Sequence, residues 1–126
     1  MELIDSVISD SQTLLEQLGQ HERAQQRISD LLNAAQIIQA ELKLYISADG
    51  SMDNIPRSSG SYTRTPFAIF ETGIYLSKKL SEHETIPLSN EQLECLERMD
   101  SKVKLVRGRL DEIWGLDKRR FEGQTC

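Results

Sequence analysis

Few residues of this chain have both the type and the spacing that catalysis or metal binding requires. The two histidines, His21 and His83, lie in different segments, and neither has a recognisable metal-ligand spacing. The run Ser81-Glu82-His83-Glu84 places carboxylates beside an imidazole, but such a run is also typical of a solvated helix end. The chain has no glycine-rich phosphate loop, nucleophile elbow, paired-cysteine site or HExxH motif. We therefore expect no enzyme activity, no cofactor and no metal site.

The two cysteines, Cys95 and Cys126, are too few for a disulfide framework and indicate a reducing compartment. Glu94 and Glu97 flank Cys95 in a predicted helix, and negative neighbours raise the pKa of a thiol instead of activating it. The first residues lack the basic start and the apolar block of a secretory signal. No apolar run approaches the roughly 20 residues that cross a bilayer. These features predict a cytoplasmic or nuclear protein without a membrane span.

The charge balance argues against a nucleic-acid partner. The 126 residues include 15 Lys and Arg against 20 Asp and Glu, which gives a net charge of −5. A protein that grips a duplex through its phosphates usually presents a basic excess on one face, and none is visible here. The acidic excess lies mainly in residues 1–47, which carry three basic and seven acidic side chains.

Hydrophobic periodicity predicts an all-α fold that begins with one long helix over 2–46. Apolar residues recur at steps of three and four, forming a heptad seam. The main seam positions are Ile4, Val7, Leu14, Leu18, Ile28, Leu32, Ala35 and Leu42. The seam keeps its phase across Gly19, where glycine costs about 1 kcal/mol relative to alanine. We therefore favour a single helix; a break at Gly19 would instead produce a four-helix bundle.

Two shorter helices are expected after a flexible loop over 47–65, which is rich in Ser, Asp, Gly and Pro. Thr65 as N-cap and Pro66 in the first helical position predict a helix over 66–82. Within it, Gly73 is placed to let another helix approach closely.

Ser89 and Gln92 form a capping box that predicts a last helix over 89–118, followed by a disordered tail over 121–126. The chain is then one helical domain over 1–126, an elongated three-helix bundle or coiled-coil-like assembly.

This architecture favours a non-catalytic protein–protein interaction module, such as a subunit, adaptor or scaffold segment. Because the first helix is longer than the helices that could pack on it, we expect a homodimer or a heteromer formed through this long amphipathic helix. The alternative is a small acidic regulator, an inhibitor or chaperone of bacterial or phage type, that blocks a basic surface on its target.

Candidate partner-binding residues follow from this reasoning. They comprise seam residues, aromatic residues near the start of the helix over 66–82, and basic residues of the last helix. They are Leu14, Leu18, His21, Ile28, Phe67, Phe70, Arg107, Arg119 and Arg120. We expect the binding surface where the helix over 66–82 meets the first helix. Hydroxyls beside arginines in the loop make Ser58, Ser59 and Thr65 candidate phosphorylation sites, since phosphate at a helix N-terminus is favoured by the helix dipole.

Overall fold

The structure is a computed structural model that describes residues 2–83 and 88–115. Within these residues the chain forms four α-helices and no strand, which confirms the predicted all-α fold. The helices are α1 (Glu2–Gln17), α2 (Glu22–Lys43), α3 (Ser59–Glu82) and α4 (Asn90–Trp114). The predicted tail over 121–126 lies outside the described residues, as does the end of the predicted helix over 89–118.

The prediction of one helix over 2–46 is wrong, because the chain leaves the helical conformation between α1 and α2. The His21 amide donates to the Leu18 carbonyl at 2.9 Å, which closes a turn. His21 itself is extended, and its Nδ1 accepts a hydrogen bond from the Ala24 amide at 3.2 Å. A neutral imidazole provides one acceptor nitrogen, so histidine can act as the N-cap of α2.

The heptad seam also changes phase after this break. In α2 the fully buried stripe includes Leu31, whereas Leu32, which the seam predicted to be buried, is only partly so. The buried positions of α2 are Ala24, Ile28, Leu31, Ala34, Ala35, Ile38 and Leu42. The two helices run antiparallel and bury their apolar faces in the same core.

The four helices form a bundle in which neighbours run antiparallel. Each helix contacts its two neighbours in the ring α1–α2–α3–α4, and α4 closes the ring by packing on α1. The contacts that join the end of one helix to the start of its neighbour are Asp5–Gln39, Glu41–Ser59, Lys78–Glu97 and Gln17–Gln92. The helices contain 16, 22, 24 and 25 residues, or about 24–38 Å at 1.5 Å per residue. The single long helix over 2–46 that motivated self-association is therefore absent among the described residues.

The connection between α2 and α3, residues 44–58, packs against the bundle instead of forming an open loop. Ile55 is only 2% exposed. The Trp114 Nε1–H at the end of α4 donates to the Ile55 carbonyl at 2.9 Å, and Arg109 pairs with Asp53 at 3.2 Å. These contacts join the connection to α4.

Helix α3 begins seven residues earlier than predicted, so Thr65 is not its N-cap. Residues 59–65 are helical, and Pro66 lies inside the helix, where its missing N–H removes one backbone hydrogen bond. The early turns of the helix are nevertheless packed on the bundle, since they bury Ser59, Thr63 and Pro66. Tertiary packing has therefore overridden the local preference for a helix start at Thr65-Pro66.

Two local predictions are confirmed by the structure. Ser89 Oγ accepts from the Gln92 amide at 3.1 Å, and Gln92 Oε1 accepts from the Ser89 amide at 2.9 Å, which completes the capping box. Gly73 lies where α3 meets α2, and a Cβ atom built on it would be only 2.5 Å from Leu31 Cδ2. The close approach of these two helices therefore depends on glycine.

Candidate interaction surfaces beside the third helix

The seam residues predicted to bind a partner are buried within the chain itself. Leu14, Leu18 and Ile28 belong to the core and have almost no exposed surface. Because α1 and α2 fold back on each other and on their neighbours, this seam is already filled. Partner binding by these side chains would require the bundle to open.

The aromatic residues near the start of α3 are core residues as well. Phe67 is 6% exposed and Phe70 is fully buried, so neither ring is available at the surface while the bundle is closed. Because α3 begins at Ser59, these rings lie in the packed interior of the helix and not at its terminus. His21 is only partly buried, and its ring is engaged as the cap of α2.

The predicted basic and hydroxyl sites have different surroundings. Arg107 forms an ion pair with Glu71 across α3 and α4; Arg119 and Arg120 lie outside the described residues. Ser58 is exposed and makes no capping hydrogen bond, and Thr65 is exposed on α3. Ser59, by contrast, is fully buried and donates to Glu41 Oε1 at 3.1 Å. A kinase could not reach Ser59 while the bundle is closed.

An exposed apolar stripe follows the junction of α2 and α3. Four large side chains contribute: Ile37 (52% exposed), Leu44 (71%), Tyr62 (67%) and Ile69 (45%). Ile37 and Leu44 are seven residues apart, as are Tyr62 and Ile69, so each pair lies along one face of its helix segment. The antiparallel contact of Glu41 with Ser59 places the two pairs at similar levels of the bundle. We call these four residues the α2–α3 stripe.

A shallow groove of about 380 Å³ continues this stripe toward the other end of α3. Arg27 and Asp30 of α2 form one wall, and α3 supplies the other with residues from Arg64 to Leu76. Ile69 belongs to both the groove and the α2–α3 stripe. The stripe and the groove together form one extended surface of mostly apolar character, which we call the α2–α3 face.

On its other side, α3 borders a larger cavity that it shares with α4. This α3–α4 cleft has a volume of about 580 Å³. Its apolar lining comes from Phe67, Leu110 and the Trp114 ring. A Cβ atom on Gly60 would lie 3.3 Å from Trp114 Cζ3, so the glycine lets the indole lie close against the start of α3. The charged lining residues are Arg57, Arg64, Glu71, Arg107 and Asp111.

Most cations of the described residues are neutralised within the chain. Every lysine of residues 2–83 and 88–115 forms an ion pair, and so do Arg107 and Arg109. Arg27, Arg57 and Arg64 form no hydrogen bond or ion pair within the same residues. All three line the α2–α3 face or the α3–α4 cleft, and Arg64 lines both. Arg23 has no ion pair either, but it lies exposed on α2 away from both surfaces. The unpaired positive charge of this acidic chain therefore lies mainly beside α3.

The remaining titratable groups of the described residues bear on metal binding and on thiol reactivity. Within it, no group of three or more His, Cys, Asp and Glu side chains is placed to hold a metal ion. The pKa of Cys95 is raised above its ordinary value, first by burial and then by the charge of Asp10. Sequence reasoning predicted the correct direction of this pKa shift but attributed it to Glu94 and Glu97. No helix among the described residues is long and apolar enough to cross a membrane.

In comparisons with known proteins, no family model, curated protein or solved structure matches the chain.

Sequence reasoning missed the exposed residues of the α2–α3 face. The signal was present in the pair Ile37-Ile38, because neighbouring residues of a helix point about 100° apart, so one of two large apolar neighbours at the edge of a buried stripe faces outward. Ile38 is fully buried and Ile37 points away from the core.

Proposed function

We propose that this protein is a non-catalytic helical interaction module that binds an amphipathic helix of another protein on its α2–α3 face. The observation that supports this most strongly is the alignment of Ile37, Tyr62 and Ile69 along an antiparallel helix pair. Apolar side chains on two adjacent antiparallel helices, continued by a groove along α3, are suited to the apolar face of a third helix.

The charges at this face define the chemistry of the partner. Arg27 and Arg64 have no partner among the described residues and flank the groove, while Asp30 accepts a hydrogen bond from Gln26. A partner helix that carries Asp or Glu beside its apolar face would gain electrostatic attraction from both arginines. We therefore propose an amphipathic helix with acidic flanks.

The same charges disfavour a second copy of the chain as the occupant. In a twofold-symmetric dimer each surface meets itself, so the α2–α3 face would oppose an identical face. The second copy would bring two more unpaired arginines to the groove and only one carboxylate, Asp30, so the interface would carry an excess of positive charge. A heteromer fits the face better than the homodimer that the long-helix interpretation allowed.

The alternative of an acidic inhibitor has weaker support. It relied on the acidic side chains of residues 1–47, two of which are neutralised within the bundle. Asp5 pairs with Lys43 at 3.6 Å, and Asp10 pairs with Lys102 at 3.4 Å. Less negative charge is therefore available on α1 for a basic target.

Charge-introducing variants of the exposed residues test this proposal. Ile69→Glu and Ile37→Glu place a carboxylate in the centre of the α2–α3 face without disturbing the core. Leu105→Glu is the matched control, because Leu105 is also exposed (62%) but lies on α4. A protein captured from cell extract is identified by mass spectrometry, and its binding to purified variants is measured by calorimetry.

The expected result is that wild type and Leu105→Glu bind the captured protein equally, while Ile37→Glu and Ile69→Glu weaken binding at least tenfold. Circular dichroism confirms that all four proteins are folded. Equal binding by all variants would overturn the assignment of the face. Light scattering that shows a dimer which dissociates on Ile69→Glu would overturn the choice of occupant and place a second copy there.

A further inference from the structure

The α3–α4 cleft combines an apolar base with two arginines, Arg57 and Arg64, that form no ion pair among the described residues. We infer that it is a second binding site, which takes a peptide segment with an aromatic side chain followed by acidic residues. This inference rests on the proposed function only in taking the occupant to be a protein. The cleft lies on the α4 side of α3 and shares Arg64 and Ala68 with the α2–α3 face, so the two sites are tested separately at residues that they do not share.

The apolar part of the cleft is built from two core residues and a hydrogen-bonded indole ring. Phe67 and Leu110 are buried members of the core. The Trp114 ring is held at two points, by the hydrogen bond from Nε1 to the Ile55 carbonyl and by its contact with Gly60. A cavity of about 580 Å³ with this lining has room for one aromatic side chain and the adjoining backbone. Aromatic rings gain most from such a pocket because they bury a large area with few rotatable bonds.

The charged part of the cleft points to an anion. Three guanidinium groups, from Arg57, Arg64 and Arg107, face two carboxylates, from Glu71 and Asp111. Glu71 already neutralises Arg107, and Asp111 is buried with interactions of its own. Arg57 and Arg64 are exposed at the rim and have no partner among the described residues.

A guanidinium presents its donors in a planar fork that matches a carboxylate, so each rim arginine can bind one acidic side chain. The occupant therefore carries one aromatic residue and two acidic residues. Such a segment could belong to the same partner that binds the α2–α3 face, because Arg64 borders both surfaces.

Three synthetic peptides separate the contributions of ring and charge. The probe is N-acetyl-Phe-Glu-Glu-amide. N-acetyl-Phe-Gln-Gln-amide has nearly the same shape without the charges, and N-acetyl-Ala-Glu-Glu-amide has the charges without the ring. Binding is followed by NMR titration of the ¹⁵N-labelled full-length chain. The indole N–H signal of Trp114 reports directly on the cleft, because the chain has a single tryptophan.

We expect the probe to shift the Trp114 indole signal and to bind at least threefold more tightly than either control peptide. Arg57→Ala and Arg64→Ala should each raise the Kd of the probe about three- to tenfold, as expected for one partly exposed charged contact. Arg23→Ala is the matched control, because Arg23 is an exposed arginine of α2 that lines neither surface. It should leave the Kd unchanged.

Several results would overturn the inference. An indole signal that does not move at 10 mM probe would show that the cleft is unoccupied. Equal affinity for the glutamine peptide, or for the probe after both arginine substitutions, would show that charge has no role. Ile37→Glu should leave probe binding unchanged, so failure of the cleft assignment and failure of the α2–α3 face assignment are measured separately.

Discussion

Replacing Gly73 by alanine tests how closely α2 and α3 are packed. The added Cβ would lie 2.5 Å from Leu31 Cδ2, whereas carbon atoms in good contact are about 3.5–4.0 Å apart. Either the Leu31 side chain must change its rotamer, or the two helices must separate by about 1 Å. Leu31 is fully buried, so both responses disturb the core.

The expected magnitude is the difference between two opposing effects. Overpacking of a core costs about 1–3 kcal/mol, while alanine stabilises a helix interior by about 1 kcal/mol relative to glycine. We therefore expect Gly73→Ala to lower the free energy of unfolding by about 1 kcal/mol. Gly108→Ala provides the control: Gly108 is also inside a helix, and a Cβ there meets no atom within 4 Å. That variant should be more stable than wild type by about 0.5–1 kcal/mol.

Urea unfolding followed by circular dichroism measures both variants. Leu31→Ala and the double variant with Gly73→Ala complete a cycle. Removing the Leu31 methyl groups makes room for the new Cβ, so the two substitutions should be less harmful together than their sum, by about 0.5–3 kcal/mol. The reasoning is refuted if Gly73→Ala is as stabilising as Gly108→Ala, or if the two substitutions of the cycle are simply additive.

Three further predictions concern single polar groups. Ser77→Ala should raise the free energy of unfolding by about 1 kcal/mol, because the Ser77 hydroxyl is buried without a hydrogen-bond partner in the described structure; a calorimetric loss of similar size would contradict this. His21→Asp should stabilise the start of α2 by about 0.5–1 kcal/mol, since aspartate is a stronger N-cap; unchanged thermal melting would show that the cap is unimportant. In a Cys126→Ser variant, the raised pKa of Cys95 leaves less reactive thiolate at pH 8. Alkylation by iodoacetamide, followed by mass spectrometry, should be slower in the folded chain than in urea, and equal rates would refute it.

Sequence reasoning predicted the fold class and those features that depend on neighbouring residues. The capping box of Ser89 and Gln92 involves residues three apart, and the structure forms it with both hydrogen bonds. The helical periods were also read correctly, since apolar side chains at steps of three and four do face the core. Gly73 was identified because a glycine inside a helix needs a packing reason.

Features that depend on weak local preferences or on distant residues could not be predicted in the same way. The break before His21 depends on an imidazole that accepts one amide hydrogen bond, a capping role that residue type favours only weakly. The early start of α3 depends on Ser59 reaching Glu41 and on Trp114 packing against Gly60. Both contacts join separate helices, so the local turn signal at Thr65-Pro66 gave the wrong boundary. The candidate surfaces follow from this geometry, because exposure on α3 depends on where the helix begins.

The order of the helices around the ring has a consequence for the kinetics of folding. Three of the four helix interfaces join consecutive helices, and only the packing of α4 on α1 joins distant parts of the chain. The hydrogen bond from Lys102 Nζ to Ser6 Oγ, at 2.6 Å, spans 96 residues of sequence. Closing this contact brings together the most distant parts of the chain, so it has the largest entropic cost of loop closure. The hairpins of α1–α2 and α2–α3 should therefore form before it. Contacts that form after the transition state influence mainly the unfolding rate. The lifetime of the native bundle should therefore depend on the α1–α4 interface, while its folding speed depends on the first three helices.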